Sequence, residues 1–211
     1  METKNTNKIY AYLVPFILYI SIPLLNFFNI DQYLLYALRT IIIGSLIIYF
    51  WKNYELKIKF DFQLLQSLGI GLLIFGIWIG IDSFYPHLGT SIYNPYESTF
   101  PLISIISKIV GMVFIAAIVE ELFTRGFLMR ILISKNWERV KIGTFTLFSF
   151  IVTVLFFGFA HERWLAGIIT GIILNLWIYK KKDIFATITA HSTANLALAI
   201  YVLVTQNWSL W

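Results

Sequence analysis

Cysteine is absent from this sequence, which excludes structural disulfides, a thiol nucleophile and any zinc or iron–sulfur site built on thiolates. Charge is scarce as well. Only 13% of the residues are Asp, Glu, Lys or Arg, against ~25% in an ordinary soluble domain. No H-E-x-x-H zinc signature occurs, no internal repeat, no low-complexity tract and no long polar linker. The first apolar run also lacks an A-x-A cleavage site, so it reads as an uncleaved span rather than a removed leader.

What fills the space is apolar: 59% of the 211 residues are hydrophobic, and mean hydropathy is +0.78. Such a composition predicts an all-α, polytopic transmembrane helical bundle forming one integral membrane domain, 1–211. Within it, 1–100 holds the N-terminal spans and 101–205 the chemistry-bearing core. A crossing needs ~20 mostly apolar residues. Candidate spans fall near 9–28, 33–51, 64–82, 102–134, 142–162, 164–179 and 183–205, which predicts seven or eight helices. The fourth is too long for one simple crossing, and the sixth is short.

Of the sixteen Lys and Arg residues, twelve lie in the N-terminus and in the stretches 52–63, 130–141 and 180–182. The alternate connections hold only Arg163, and Arg39, Lys108 and Arg125 fall within spans. This asymmetry predicts a cytoplasmic N-terminus and an extracytoplasmic C-terminus. It accounts for the net charge of +5 without a nucleic-acid partner. Trp51, Trp164, Trp177, Trp208 and Trp211 sit near span ends and read as interfacial belts. Arg39, Lys108 and Asp82 read as interface or ion-pair residues.

The stretch "IAAIVEELFTRGFLMRIL" (115–132) is the anomaly. A charge at mid-bilayer costs at least ~2.5–3.5 kcal/mol on insertion scales, yet Glu120 and Glu121 stand side by side there. Glu121 and Arg125, at i and i+4, share a helix face and can pair. Glu120, rotated by about 100°, is left without that partner. Two further polar groups lie in apolar spans: "FFGFAHERW", with Phe157 four residues before His161, and "ATITAHSTANLAL", with His191 and Asn195 on one face. Taken singly, His161 is an interface residue and His191/Asn195 are interhelical glue. Together on three helices, a carboxylate, two imidazoles and a carboxamide form a set that can activate water and stabilise an oxyanion.

The ordered trio EE-x3-R (Glu120, Glu121, Arg125), F-x3-H (Phe157, His161) and H-x3-N (His191, Asn195) resembles the CAAX-protease and bacteriocin-processing family, also called Abi or CPBP. The flanks "LVPFILYISIP", "GIWIGIDSFYP" and "NWSLW" resemble its bacterial CAAX prenyl protease-related subgroup, found with exosortase and PEP-CTERM sorting systems. This resemblance implies a glutamate-type intramembrane endopeptidase of the bacterial plasma membrane, with no cofactor and no metal. Glu120 would be the general base, His161 would share the activated water, and His191 and Asn195 would bind the oxyanion. Glu121 and Arg125 would form a supporting pair. Its partners would be the bilayer and a membrane-associated protein or lipidated peptide cut near its C-terminus.

Two other readings compete: a zinc protease using Glu120, His161 and His191 as ligands, and a non-proteolytic scaffold, immunity or sorting partner. A transporter fits less well. Straight helices counted from the basic loops put Glu120, His161 and His191 at unequal depths, ~22, ~30 and ~14 Å. They meet only if helices tilt or if the fifth–sixth hairpin is sunk into the membrane.

Overall fold

The computed structural model describes residues 3–211, with side chains from residue 8 onward. Lys4, one of the basic residues of the N-terminus, therefore lies outside the described side chains. Among the described residues there are seven main helices and no strand: α1 (Thr3–Ser21), α2 (Gln32–Tyr49), α3 (Phe62–Ile81), α4 (Pro101–Ile131), α5 (Leu147–Phe159), α6 (Trp164–Lys181) and α7 (Ile184–Thr205). Short polar side chains start four of them. Asp31, Asp61, Thr146 and Asp183 each accept a backbone N–H at a helix N-terminus, satisfying donors that the first turn leaves unpaired.

Five stretches are long and apolar enough to cross a membrane: Lys8–Phe28, Gln32–Tyr49, Phe62–Phe84, Pro101–Ile131 and Ile184–Thr205. Large apolar side chains such as Phe27, Ile48 and Val204 stand on the outside. Exposed apolar surface on this scale belongs in lipid, and the chain is an integral membrane protein. The fifth span expected over 142–162 is shorter than that, because α5 has only 13 residues. Residues 142–146 leave the helix since Gly143 sits at φ 73° against the Ile178 carbonyl and Thr146 caps the next turn. At 1.5 Å per residue α5 is ~20 Å long, short of the ~30 Å of hydrocarbon. The late start takes roughly 8 Å off the depth expected for His161. α5 and α6 form a close hairpin in which a Cβ on Gly167 would lie 3.0 Å from the Gly158 backbone.

Contacts sort the loops into two ends. At one end Glu55 binds Lys8 (2.9 Å) and Arg130 (3.2 Å), Gln63 donates to Asp183 (2.8 Å), and Lys181 donates to Gln66. Burial alone pushes Glu55 up, but the hydrogen bond from Lys8 and the charges of Arg130 and Lys8 outweigh it and hold the carboxyl below its ordinary range. At the other end Tyr33 donates to the Asn94 carbonyl (2.7 Å), Arg163 pairs with Asp82 (2.5 Å), and Arg163 also donates to the Ser209 carbonyl (2.8 Å). Odd-numbered helices run from the first end to the second and even-numbered ones return. The loops 52–63, 130–141 and 180–182 thus share one end, as the charge pattern requires.

Trp177 departs from its expected place. It is 8% exposed and donates to Ser67 (3.1 Å) between α6 and α3, inside the bundle.

α3 and α7 pack most closely at Gly71, where an added Cβ would lie 2.4 Å from the Ala190 carbonyl oxygen. A side chain there must push two helices apart, at a cost of about 1–3 kcal/mol. Gly76, on the same helix, has nothing within 4 Å. Thermal unfolding in detergent should show Gly71→Val melting well below wild type and Gly76→Val close to it.

Candidate functional site

α4 carries both glutamates and is not a regular helix. Its 31 residues contain π-helical stretches at Gly111–Ala116 and Leu122–Leu128 on either side of the α-helical turn Ala117–Glu121. A π-turn rotates the residues after it relative to a regular α-helix and often marks a functional segment. Here the two π-turns bracket the adjacent carboxylates.

Those carboxylates have different surroundings. Glu121 and Arg125 are both 0% exposed and pair at 2.9 Å. Arg125 also donates from Nε to Asn175 Oδ1 (3.1 Å) and from a terminal nitrogen to the Gly171 carbonyl (3.4 Å), and its guanidinium lies over the Phe157 ring at 4.6 Å. Asn175 in turn accepts from Arg125 and donates to Thr153 (2.8 Å). One network thereby ties α4 to α5 and α6. His191 of α7 joins it through Nδ1, 3.0 Å from Glu121 Oε1.

Glu120 stands outside that network. Its Oε1 accepts from the Tyr19 hydroxyl of α1 (3.0 Å), and its Oε2 lies 3.9 Å from His161 Nε2. Its side chain is 14% exposed. His161, just past α5, has its Nδ1 2.7 Å from the Phe157 carbonyl. A carbonyl only accepts, so Nδ1 carries the hydrogen and a neutral His161 turns a bare Nε2 toward Glu120. The rings of Trp78 and Phe157, with centroids at 5.7 and 4.9 Å, hold the imidazole.

The pair forms the wall between two cavities. One, of ≈ 180 Å³, is lined by Trp78, Met112, His191 and Asn195 together with Glu120 and His161. The other, of ≈ 340 Å³, opens between α1 and α5 past Ile20, Pro23 and Arg39 and shares Tyr19, Glu120, Phe157 and His161. Two acceptors converge from this wall. A water between them would donate one hydrogen to each and turn a lone pair into the cavity, which is the geometry of general-base activation.

All seven residues singled out in the sequence are thus in or beside one site, with Phe157 at its centre against Arg125, His161 and His191. Two have tighter constraints than their sequence reading implied. Glu121 holds the His191 Nδ1 hydrogen, so His191 can donate from Nε2 only as an imidazolium. Asn195 Nδ2 donates to the Met112 carbonyl (2.7 Å) in the first π-turn, leaving one amide hydrogen for a ligand. The zinc set Glu120, His161 and His191 is not drawn together: among the described residues no three His, Asp or Glu side chains cluster as a metal ion needs. The sequence reading missed Tyr19, Trp78 and Asn175. Only Asn175, a lone amide in the apolar run of α6, left a signal.

The fold and site define a membrane-embedded helical protein with a paired carboxylate and imidazole beside a largely enclosed apolar cavity. Comparison with known families matches residues 102–197 to the family described as Type II CAAX prenyl endopeptidase Rce1-like. The chain therefore carries an Rce1-like domain, which contains Glu120, His161, His191 and Asn195 but not Tyr19, Arg39 or Trp78. That family is one of membrane endopeptidases, and the match suggests an intramembrane endopeptidase. No curated protein and no solved structure matches the chain.

Removing one member of a buried ion pair leaves the other charge uncompensated, at about 3–5 kcal/mol. Arg125→Met should therefore lower the unfolding temperature sharply. Asn175→Leu, which strips Arg125 Nε of its acceptor, should destabilise less, by about 1–3 kcal/mol. Denaturation in detergent followed by circular dichroism measures both.

Proposed function

We propose that the chain is a glutamate-type intramembrane endopeptidase that hydrolyses a peptide bond near the C-terminus of a membrane-associated protein. The observation that supports this most is the convergence of Glu120 Oε2 and His161 Nε2 at 3.9 Å, with the other imidazole nitrogen tied to a carbonyl. Water held between them loses a proton to Glu120 as its oxygen bonds to the scissile carbonyl carbon. Negative charge then develops on the carbonyl oxygen, where His191 and the remaining Asn195 amide hydrogen can receive it. Glu120 passes its proton to the departing amine as the C–N bond breaks.

Further features of the reading rest on the charge pattern and the resemblance of the flanks. The N-terminus is cytoplasmic and the C-terminus extracytoplasmic, the membrane is a bacterial plasma membrane, and proteins bound for surface sorting are the first substrates to examine. Whether such substrates carry a lipid is part of the same test.

Mass spectrometry of membrane-protein C-termini should find shortened ends in cells carrying the wild-type chain and not in cells carrying Glu120→Ala at equal abundance. His161→Ala should slow their appearance by about 10²-fold, because the water loses one of the two acceptors that position it. Unchanged termini in both variants would turn the reading toward a scaffold, and activity lost to a chelator and restored by zinc would turn it toward a metalloprotease. Orientation is tested separately, in a chain with no native cysteine. Asn207→Cys should react with an impermeant maleimide on intact cells, and Lys57→Cys only after permeabilisation. The opposite pattern would invert the topology.

A further inference from the structure

Of the charged residues inside the spans, Asp82 pairs with Arg163 as an ion-pair reading requires. Arg39 and Lys108 do not follow that reading. Among the described residues, no carboxylate pairs with either. Tyrosine rings lie against them instead. The Arg39 guanidinium is 4.6 and 4.5 Å from the centroids of Tyr19 and Tyr36, and Lys108 Nζ is 4.5 and 4.3 Å from those of Tyr36 and Tyr93. Rings attract a cation without neutralising it. Both cations line one cavity of ≈ 240 Å³ between α2 and α4, and no Asp or Glu lines it with them. Two like charges held against a single ring, Tyr36, repel each other. An anion in the cavity would relieve that repulsion and supply the missing counter-charge.

The position of this cavity narrows the choice of anion. Gln32 opens α2 and Pro101 opens α4, at the end of the bundle away from the basic loops. Arg39 and Lys108 each stand seven residues further on. In a helix the Cα–Cβ bond tilts toward the N-terminus, so both long side chains reach back toward that end. They enter a cavity whose mouth carries the exposed residues Asn26, Gln32 and Ser91. This brings the two charges up toward the lipid headgroups, as long basic side chains near span ends do. Beside the mouth the surface is apolar. In the stretch after α1, Pro23 and Asn26 line the cavity, while Leu24, Leu25, Phe27 and Phe28 are exposed. A free phosphate makes no use of such a surface, but a lipid joins an anionic head to acyl chains and matches both. A zwitterionic head fits poorly, because its own cation would meet Arg39 and Lys108 with no carboxylate lining the cavity. We propose that this cavity binds the headgroup phosphate of an acidic phospholipid such as phosphatidylglycerol, with the acyl chains along Leu24–Phe28. Arg39 supplies the planar fork that matches a phosphate and Lys108 a second point charge. Arg39 also lies against Tyr19, the hydroxyl partner of Glu120, so the lipid would steady the ring that orients this carboxylate. The inference does not depend on the endopeptidase reading.

Native mass spectrometry of the full chain in maltoside detergent tests this, with dioctanoyl phosphatidylglycerol and dioctanoyl phosphatidylcholine as probes. The wild-type chain should bind one phosphatidylglycerol more tightly than phosphatidylcholine by about ten-fold or more, the scale of a charge-assisted contact pair. Arg39→Gln combined with Lys108→Met should abolish that preference. Arg39→Lys, which keeps the charge and loses the fork, should retain part of it. Lys57→Gln combined with Lys59→Gln, at the opposite end of the bundle, should leave it intact. Equal affinity of the wild-type chain for the two lipids would overturn the proposal. So would a preference that disappears with Lys57 and Lys59 but survives the loss of Arg39 and Lys108. Inorganic phosphate at the concentration of the lipid should not displace it. Full displacement, with phosphate alone raising the unfolding temperature as far as the lipid does, would make the cavity a free-anion site and overturn the lipid. Should the double variant fail to fold, the wild-type comparison and Arg39→Lys still decide the matter.

Discussion

The pairing of Glu121 with Arg125 is the interaction on which the rest of this site depends. Both side chains are fully buried, and two charges so far from water persist only when polar groups and rings nearby are turned toward them. The protein does this with Asn175, the Gly171 carbonyl and the Phe157 ring from α5 and α6, and with His191 from α7. The pair is therefore a joint between four helices as well as a local i,i+4 contact. Its direct effect on chemistry is to fix the Nδ1 hydrogen of His191. Glu120, one residue earlier and about 100° around the helix, is left free of Arg125 and faces the cavities.

This division of labour explains why two carboxylates stand side by side in an apolar helix. One is committed to a network that leaves it no freedom. The other has a single hydroxyl partner, Tyr19, and a histidine held just beyond hydrogen-bonding distance. The π-turns on either side of Ala117–Glu121 contribute too. The first presents the Met112 carbonyl to Asn195, and the second contains Arg125. Irregular backbone at membrane depth is tolerated where it is buried against protein or lines a cavity, and both stretches satisfy that condition.

Much of the architecture was legible because lipid imposes a simple code. Twenty apolar residues mark a crossing, and the loops with Lys and Arg mark one side, so α1–α4 and α7 lie close to where hydropathy places them. α5 was misjudged because residues 142–146 are apolar enough to extend the span, while their backbone is set by Gly143 at positive φ and by the Thr146 cap. Six of the seven site residues were legible as polar exceptions in apolar stretches, and Phe157 by its place four residues before His161. The hidden features depend on packing between distant segments. Nothing in "FILYIS" distinguishes Tyr19 as the partner of Glu120, and Trp177 reads as a belt residue until α3 is laid against α6. Arg39 and Lys108 read as interface or ion-pair residues, because only the folded chain reveals that tyrosine rings lie against them and that, among the described residues, no carboxylate pairs with either.

The central claim is that Glu121 is structural and Glu120 is reactive. Comparing the thermal unfolding of Glu120→Gln and Glu121→Gln, two isosteric changes one residue apart, tests it without any substrate. The account predicts that Glu120→Gln melts with the wild type, whereas Glu121→Gln melts far lower, since it leaves Arg125 buried beside a neutral amide. Equal stability of the two variants, or a greater loss in Glu120→Gln, would contradict it.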